Sequence, residues 1–226
     1  MLKLSHFKIF IFSILLAAQM VVAAEPAVVR LHSEALSSLK ARVDSIHQAQ
    51  KEILIEAFYL EDDEVGNYLM QEIANQKKLY PALSVQIVID AWGSASLPVE
   101  NICHFKNLGI QIHQYNSVGM FQLSFKTART HRKIWIADGH AFVGGRNLAN
   151  EHFFATEPFQ SAKDDWDVEI KNSVVSQKIR SSFFEMWDLS KDIRCQFGGM
   201  IKKTPQFEVA ERIKDIILPE FKKANL

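Results

Sequence analysis

The stretch THRKIWIADGHAFVGGRNLANEHF, residues 130–153, carries the strongest structural signal in the sequence. RKIWIA and AFVGG are apolar runs typical of strands, and the Asp138–Gly139 pair between them indicates a hairpin turn. His131 and Lys133 lie two residues apart at the start of the first run, so on a strand their side chains project to the same face. The stretch therefore predicts a β-hairpin that places an imidazole beside an ammonium group.

Upstream of this hairpin, three apolar, β-branched segments alternate with two helical patterns. Strands are predicted at 53–60, 84–91 and 109–116, and helices at 63–78 and 98–108. An order of strand, helix, strand, helix, strand favours parallel pairing through crossover helices. We therefore expect an α/β fold with a mainly parallel mixed β-sheet that is flanked by helices.

Further elements are predicted on either side of this region. An apolar stripe at three- and four-residue spacing indicates a helix over 36–46, and WDVEIK at 166–171 resembles another strand. Two amphipathic patterns, at 174–187 and 207–217, predict helices near the end of the chain. No internal repeat or linker divides the sequence, which favours a single domain.

The N-terminal residues resemble a secretory signal peptide. Two lysines are followed by an apolar run over 9–24 that ends in small residues, which predicts a signal peptide over 1–24 and a mature chain from near Glu25. The run is shorter than the roughly 20 residues of a membrane span, so cleavage is favoured over an uncleaved anchor. We expect residues 25–226 to form one exported, periplasmic or secreted domain with a helical C-terminal tail.

Charge and cysteine content limit the possible partners. The chain has 26 basic and 26 acidic residues, and loss of Lys3 and Lys8 with the signal peptide would leave an excess of two acids. This balance argues against a bulk electrostatic grip on nucleic acid. Cys103 and Cys195 are the only cysteines; they could form a disulfide in an oxidising compartment, but their spacing leaves the pairing open and fits no metal site.

The hairpin residues suit chemistry on a phosphodiester, whose anionic phosphorus repels nucleophiles and whose alkoxide leaves poorly. A neutral imidazole at His131 can attack phosphorus and divide one difficult displacement into two easier steps. The ammonium of Lys133 can offset charge on the non-bridging oxygens, and Asn147 can donate a further hydrogen bond there. These residues point to a phosphodiesterase or phosphoryl-transfer site.

The same residues form the pattern His-x-Lys-x-x-x-x-Asp followed by Gly-Gly-x-Asn, which resembles the phospholipase D superfamily. Its members here are His131, Lys133, Asp138, Gly144, Gly145 and Asn147. FYLEDDEVG at 58–66 and the VGGRN run are similar to the bacterial cardiolipin synthase and phospholipase D branch. The resemblance covers residues 50–188 and implies a phospholipase D-like αβα sandwich.

This resemblance implies roles for individual residues. His131 would be the catalytic nucleophile that forms a phosphohistidine, while Lys133, Asn147 and Gly145 would hold the phosphate. An acidic residue shortly before the last strand orients the histidine in the family, and by position that residue is Asp167. Charge neutralisation by lysine implies that neither a metal nor another cofactor is needed.

Several of these residues also have simpler explanations. Asp138 is either a catalytic residue or the turn-former that its hairpin position favours. Gly144 and Gly145 could make a tight turn, and Asn147 could cap a following helix. The acidic cluster at 61–64 precedes a helical pattern and is interpreted as capping. Because the motif residues occur together, function is favoured for the glycines and Asn147.

The superfamily uses two such motifs, one histidine attacking and the other protonating the leaving group, but this sequence contains one. HFKNLGIQ at 104–111 begins as His-x-Lys and ends at Gln111. Either two copies pair as a homodimer around one active site, which the single motif favours, or the sequence is half of something larger. Three hypotheses remain: an enzyme that hydrolyses or transfers the phosphatidyl group of a phospholipid, with peripheral membrane contact; an exported endonuclease that acts on nucleic acid; and a catalytically silent half that binds a partner or membrane.

Overall fold

The structure is a computed structural model that describes residues 28–116, 128–154, 164–171 and 174–195. The predicted signal peptide at 1–24 and the predicted helix at 207–217 lie outside these residues.

Four helices and eight strands make up the described part of the chain. The helices are α1 (Ala35–Gln48), α2 (Glu64–Leu79), α3 (Val99–Asn107) and α4 (Val174–Leu189). The strands are β1 (Val28–His32), β2 (Glu52–Ala57), β3 (Ser84–Asp90), β4 (Gln111–Tyr115), β5 (Ile134–Ala137), β6 (His140–Gly144), β7 (Asp167–Lys171) and β8 (Lys191–Asp192).

All eight described strands join one sheet in the order β1-β7-β6-β5-β2-β3-β4-β8. The α/β class with a mixed sheet between helices is confirmed. Parallel pairing does not dominate, however: within the described ranges β2–β3 and β3–β4 are parallel, whereas the other five pairings are antiparallel. The crossover helices α2 and α3 produce the parallel half, and the β5–β6 hairpin starts the antiparallel half because a tight turn reverses the chain.

Helices cover both faces of the sheet, and alternate residues of the central strands divide between two cores. Ile53 and Ile55 of β2 pack in the larger core with α1, α2 and α3. Leu54 lies in the smaller core with Phe183 of α4. A strand that is buried on both faces reads as a continuous apolar run, as β2 does.

The predicted hairpin is confirmed between β5 and β6. Asp138 and Gly139 have φ angles of 45° and 86°, so both central residues of the turn occupy the left-handed region. A type I′ turn requires this conformation, for which Asp-Gly is a preferred pair. The turn places the residues before β5 and those after β6 at the same end of the two strands.

A disulfide joins Cys103 of α3 to Cys195, just after β8. It closes a loop of sequence separation 92 and ties the end of the described chain to a helix of the larger core. The sequence left this pairing open. None of the described helices is both long enough and apolar enough to cross a bilayer.

Candidate active site

His131 is exposed at the end of the sheet where strands β2, β3 and β6 end and β5 begins. Its neighbours are anchored to these strands. The Thr130 amide donates to Asp90 at 3.1 Å, and its hydroxyl donates to Glu56. On the other side, Arg132 binds both oxygens of Glu56, at 2.9 and 2.6 Å. The imidazole is therefore presented to solvent from a short segment that is fixed on both sides.

Lys133 lies beside this histidine but is buried, with 6% of its surface exposed. Its ammonium group donates to the carbonyl oxygen of His131 at 2.8 Å and lies 5.6 Å from the ring centre of Phe58. The same Phe58 ring lies 5.0 Å from the imidazole of His131. The structure thus brings the two motif residues together around one aromatic ring, as their spacing predicts. A desolvated cation in this position interacts more strongly with a phosphate than it would in water.

Asn147 reaches the same place from the segment after β6. Its side chain is 2% exposed, and Oδ1 accepts from the amides of Phe58 and Tyr59 at 3.1 and 3.3 Å. Its Nδ2 lies 3.1 Å from Nε2 of His152. Asn147 therefore does not cap a regular α-helix, because a short 3₁₀ turn over Asn150–His152 follows it. Its side-chain amide is bound to the backbone of Phe58, whose ring contacts His131.

Gly145 allows an acidic residue to approach this segment. Its amide donates to the carbonyl oxygen of Trp166 at 3.0 Å. A Cβ atom at residue 145 would lie 2.3 Å from Oδ1 of Asp165. A larger residue would therefore displace Asp165, which gives Gly145 a packing role next to the candidate site.

Asp167, the residue expected to orient His131, is used elsewhere. Its Oδ2 accepts from Ser38 at 2.6 Å and from Arg42 and Arg146 at 3.0 Å each, while Oδ1 has no hydrogen-bond partner. Burial would raise the pKa of this carboxyl, but Arg42, Ser38 and Arg146 outweigh burial and lower it to about 2. Neither oxygen bonds His131, so the expectation for Asp167 is corrected to a buried structural ion cluster.

Asp138 lies at the other end of β5 from His131. Its carboxylate accepts from the backbone amides of Gln50, Lys51 and Glu52 at 2.8 to 3.3 Å. Six residues separate it from His131, and four of them form strand β5, which alone spans about 13 Å. The structure therefore assigns Asp138 to the turn and does not bring it to His131, against the expectation of a catalytic role.

His152 and Asp165 join the site although the motif does not include them. His152 is 3% exposed, its Nδ1 bonds the carboxylate of Asp165, and its Nε2 lies 2.6 Å from the hydroxyl of Tyr59. The sequence contains two weak signals for this pair. His152 follows Asn147 by five residues, and Asp165 lies just two residues before Asp167.

The first turn of α2 holds the loop that carries His152. Asp63 accepts from the amide of Gly66 at 2.9 Å, which confirms its capping role, and from the amide of Asn150 at 2.7 Å. Burial raises the pKa of Asp63 to about 6. Asn150 in turn accepts from the amide of Val65 at 2.9 Å. The segment FYLEDDEVG thus supports the active-site loop through a helix cap.

Positive charge near His131 comes from side chains. Across residues 28–116, 128–154, 164–171 and 174–195, no group of three or more His, Cys, Asp or Glu residues is arranged to hold a metal ion. Of the two neighbouring cations, Lys133 contacts His131 directly, whereas Arg132 is paired with Glu56.

Comparison of the sequence with known proteins identifies a family. The model of a family described as cardiolipin synthase, PLD-like domain, matches residues 43–187. Cardiolipin synthase A of Pseudomonas fluorescens is 30% identical over 164 residues, covering 70% of this chain and 33% of that protein. The chain thus spans about a third of the length of the curated relatives that it matches.

Solved structures show the same fold. Nuc from Salmonella typhimurium, a phospholipase D family member, aligns with a TM-score of 0.55 at 19% identity, over 75% of this chain and 100% of that one. Phosphatidylserine synthase from Haemophilus influenzae aligns with a TM-score of 0.59 at 16% identity, over 83% of this chain and 42% of that one. Because the family model covers more than half of the sequence, the chain belongs to the cardiolipin synthase PLD-like domain family of the phospholipase D superfamily.

Proposed function

We propose that this protein is a phosphodiesterase of phospholipase D type that hydrolyses or transfers phosphatidyl groups. The observation that carries the proposal is the exposed imidazole of His131, which lies beside the buried ammonium of Lys133 and is held by anchored neighbours. A nucleophile and a desolvated cation are what an anionic phosphorus centre needs.

The proposed reaction has two displacements. A ring nitrogen of His131 attacks phosphorus, the bond to the leaving alcohol breaks, and that alkoxide takes a proton from the second imidazole, which the dimer proposed below supplies. Water or a second alcohol then attacks the phosphohistidine, gives up its proton to that second imidazole, and releases the neutral imidazole of His131. Lys133 offsets charge on the non-bridging oxygens in both steps, and Asn147 donates a hydrogen bond to the same group.

A phospholipid is the proposed substrate. The curated relatives are named cardiolipin synthase A, and one solved structure of this fold is a phosphatidylserine synthase. The formal charge of zero also gives the chain no bulk attraction to nucleic acid. An exported endonuclease of the same superfamily is the second candidate, favoured by the Arg129 and Arg132 side chains on either side of His131, which could bind a polynucleotide phosphate.

The proposed active species is a symmetric homodimer. The sequence contains one complete His-x-Lys-x-x-x-x-Asp motif, while the reaction needs both a nucleophile and a proton donor. In a two-fold pair the same patch meets itself, so the exposed His131 of each copy could enter one composite site. The alternative that this chain is a silent half would leave His131 without a role.

Export is proposed for the same chain. The N-terminal pattern supports it, and the Cys103–Cys195 disulfide is of the kind that persists in oxidising compartments. The proposed location is the periplasm or the extracellular space, where the enzyme would meet a membrane surface as a peripheral protein.

A side-by-side assay tests the proposed function. Purified protein is incubated with radiolabelled phosphatidylglycerol in vesicles and, separately, with plasmid DNA. We expect release or transfer of the phosphatidyl group and no nicking. Nicking without lipid turnover would select the endonuclease, and absence of both activities would favour the silent half.

A further inference from the structure

The imidazole of His152 is buried at the candidate site, and the reaction proposed above does not use it. The ring is 3% exposed and bonds Asp165 through Nδ1. Its Nε2 lies 3.1 Å from Nδ2 of Asn147. A buried histidine that joins a carboxylate to a proposed phosphate-binding amide differs from a residue that only fills space.

The hydrogen-bond partners of Asn147 determine which ring nitrogen of His152 carries the proton. Two backbone amides, those of Phe58 and Tyr59, donate to Oδ1, so the atom that faces His152 must be the NH₂ group. An NH₂ group can only donate, and Nε2 must then accept. The proton of a neutral His152 therefore resides on Nδ1, where it is donated to Asp165.

This arrangement leaves one amide hydrogen of Asn147 for a ligand. The first hydrogen is directed at His152 and the second remains for another acceptor. Oδ1 accepts from the backbone amide of Phe58, whose ring contacts His131. The orientation of that second hydrogen is thus fixed before any substrate binds. Donors fixed in advance stabilise developing charge better than donors that must rotate into place.

Tyr59 holds the same imidazole from its other side. Its ring centre lies 5.6 Å from that of His152. Its hydroxyl lies within hydrogen-bonding distance of two acceptors, Nε2 at 2.6 Å and the carboxylate of Glu151, and its single hydrogen can be donated to either. Asp165 is held in turn against Gly145, where a Cβ atom would displace it. The plane of the His152 ring is therefore restricted by contacts from three separate segments.

We infer that His152, held by Asp165, is a positioning residue that sets the Asn147 amide for the phosphoryl group at His131. The inference rests on the proposed function and assigns a role outside the His-x-Lys motif. Residues that orient a metal ligand through a hydrogen bond contribute about tenfold to a hundredfold to affinity or activity, and we expect a similar factor for a residue that orients a phosphate-binding amide. Replacement of His152 should cost a similar factor, through Asn147.

A double-mutant cycle tests this inference. His152→Leu removes the acceptor, His152→Gln keeps an acceptor near the position of Nε2, and Asn147→Ala removes the amide. His32→Leu is the matched control, because His32 is also buried, at 2% exposed, and bonds a carboxylate, Glu169, at 3.0 Å, but on β1. Each variant is measured for the Kd of orthovanadate, a phosphoryl mimic, for kcat on labelled phospholipid, and for thermal unfolding.

We expect His152→Leu to weaken vanadate binding and lower kcat about tenfold to a hundredfold, with partial rescue in His152→Gln. In the Asn147→Ala background the same change should have little further effect. His32→Leu should lower the unfolding temperature without a matching loss of vanadate affinity.

Two results would overturn the inference. One is an equal loss from His152→Leu with and without Asn147. The other is a loss that follows the unfolding temperature as it does in His32→Leu. If vanadate binds and the cycle is non-additive while no phospholipid turns over, the positioning role stands and the proposed function fails alone. Absence of vanadate binding in the wild type would overturn both.

Discussion

The guanidinium of Arg132 and the carboxylate of Glu56 form a two-point ion pair, with Nη2–Oε2 at 2.6 Å and Nε–Oε1 at 2.9 Å. The Glu56 side chain is completely buried, whereas that of Arg132 is 37% exposed. This pair joins the residue next to His131 to the middle strand of the sheet. Glu56 is therefore part of the structural support of the site although no motif contains it.

Glu56→Gln is expected to lower both stability and turnover, because it removes the charge that binds Arg132 and weakens the acceptor for Thr130. Loss of a buried charge-assisted bond costs about 1–3 kcal/mol in the free energy of unfolding. Glu52→Gln on the same strand is the control, since its ion pair with Arg180 is more exposed, with 19% and 48% of the two side chains accessible, and should contribute about 1 kcal/mol or less. Urea unfolding of both variants measures the difference; equal losses would contradict the structural role of Glu56.

His131→Ala is expected to reduce kcat by more than about a thousandfold, because it removes the nucleophile of a two-step reaction. The side chain is exposed, so the unfolding temperature should change little. His140→Ala, at the far end of the hairpin, should retain activity. Wild-type turnover by a folded His131→Ala protein would exclude the phosphohistidine mechanism.

Chelation is expected to leave activity unchanged. The proposed mechanism places positive charge at the phosphate through Lys133 and a hydrogen bond through Asn147, so no step depends on a divalent ion. Initial rates are measured before and after dialysis against EDTA. Loss of activity that returns with zinc, and not with buffer alone, would show that a metal takes part.

Asp167 is expected to make stability depend on pH in the acid range. Its folded-state pKa of about 2 lies below the ordinary value of 3.8, so its stabilisation is present above pH 4 and is lost as pH falls toward 2. The difference in unfolding free energy between wild type and Asp167→Asn should narrow by about 2 kcal/mol over that range. If Asp167→Asn does not fold, the pKa of Asp167 is measured in the wild type instead, by an NMR titration of its carboxyl carbon. A midpoint near pH 4 would contradict the prediction.

The homodimer is expected to show itself when inactive and active copies are mixed. Heterodimers of His131→Ala and wild type lack one of two roles, so activity should fall faster than the wild-type fraction as subunits exchange. The two imidazoles would titrate as a coupled pair, one neutral and one protonated, which gives a bell-shaped pH profile of kcat/KM. Activity in proportion to the wild-type fraction, together with a monomeric mass in light scattering, would rule out the composite site.

Much of the fold follows from local sequence signals. The Asp138–Gly139 pair fixes the hairpin because its backbone preference matches a type I′ turn, and two crossover helices fix the parallel strands β2, β3 and β4. Strand β1 is not predicted, since only its last residue is buried and its pairing with β7 joins positions far apart in the chain. The position of a strand at a sheet edge depends on such distant contacts.

The candidate site is predicted at His131, Lys133 and Asn147, which the structure places around Phe58. The error at Asp167 has a physical cause. Asp167 lies two residues after Asp165, and sequence position alone does not tell which of the two acids faces the site. Asp167 faces the buried side chains of Arg42 and Arg146, and the sequence does not reveal where these side chains point. His152 is missed for the same reason, because a single histidine in a loop gives no sign of its burial.

Both flanks of strand β5 are bound to β2. Asp138 accepts from three amides at the start of β2, those of Gln50, Lys51 and Glu52. Thr130 and Arg132 bind Glu56 near the end of β2. These two sets of contacts fix the number of residues that the chain can hold between Arg132 and Asp138. One residue inserted within β5 would shift its pairing with β2 and turn the strand residues on one side of the insertion to the opposite face of the sheet. The length of this segment is therefore restricted more strictly than its composition, because an insertion or deletion would break either the contacts of Asp138 or those of Thr130 and Arg132, which flank His131.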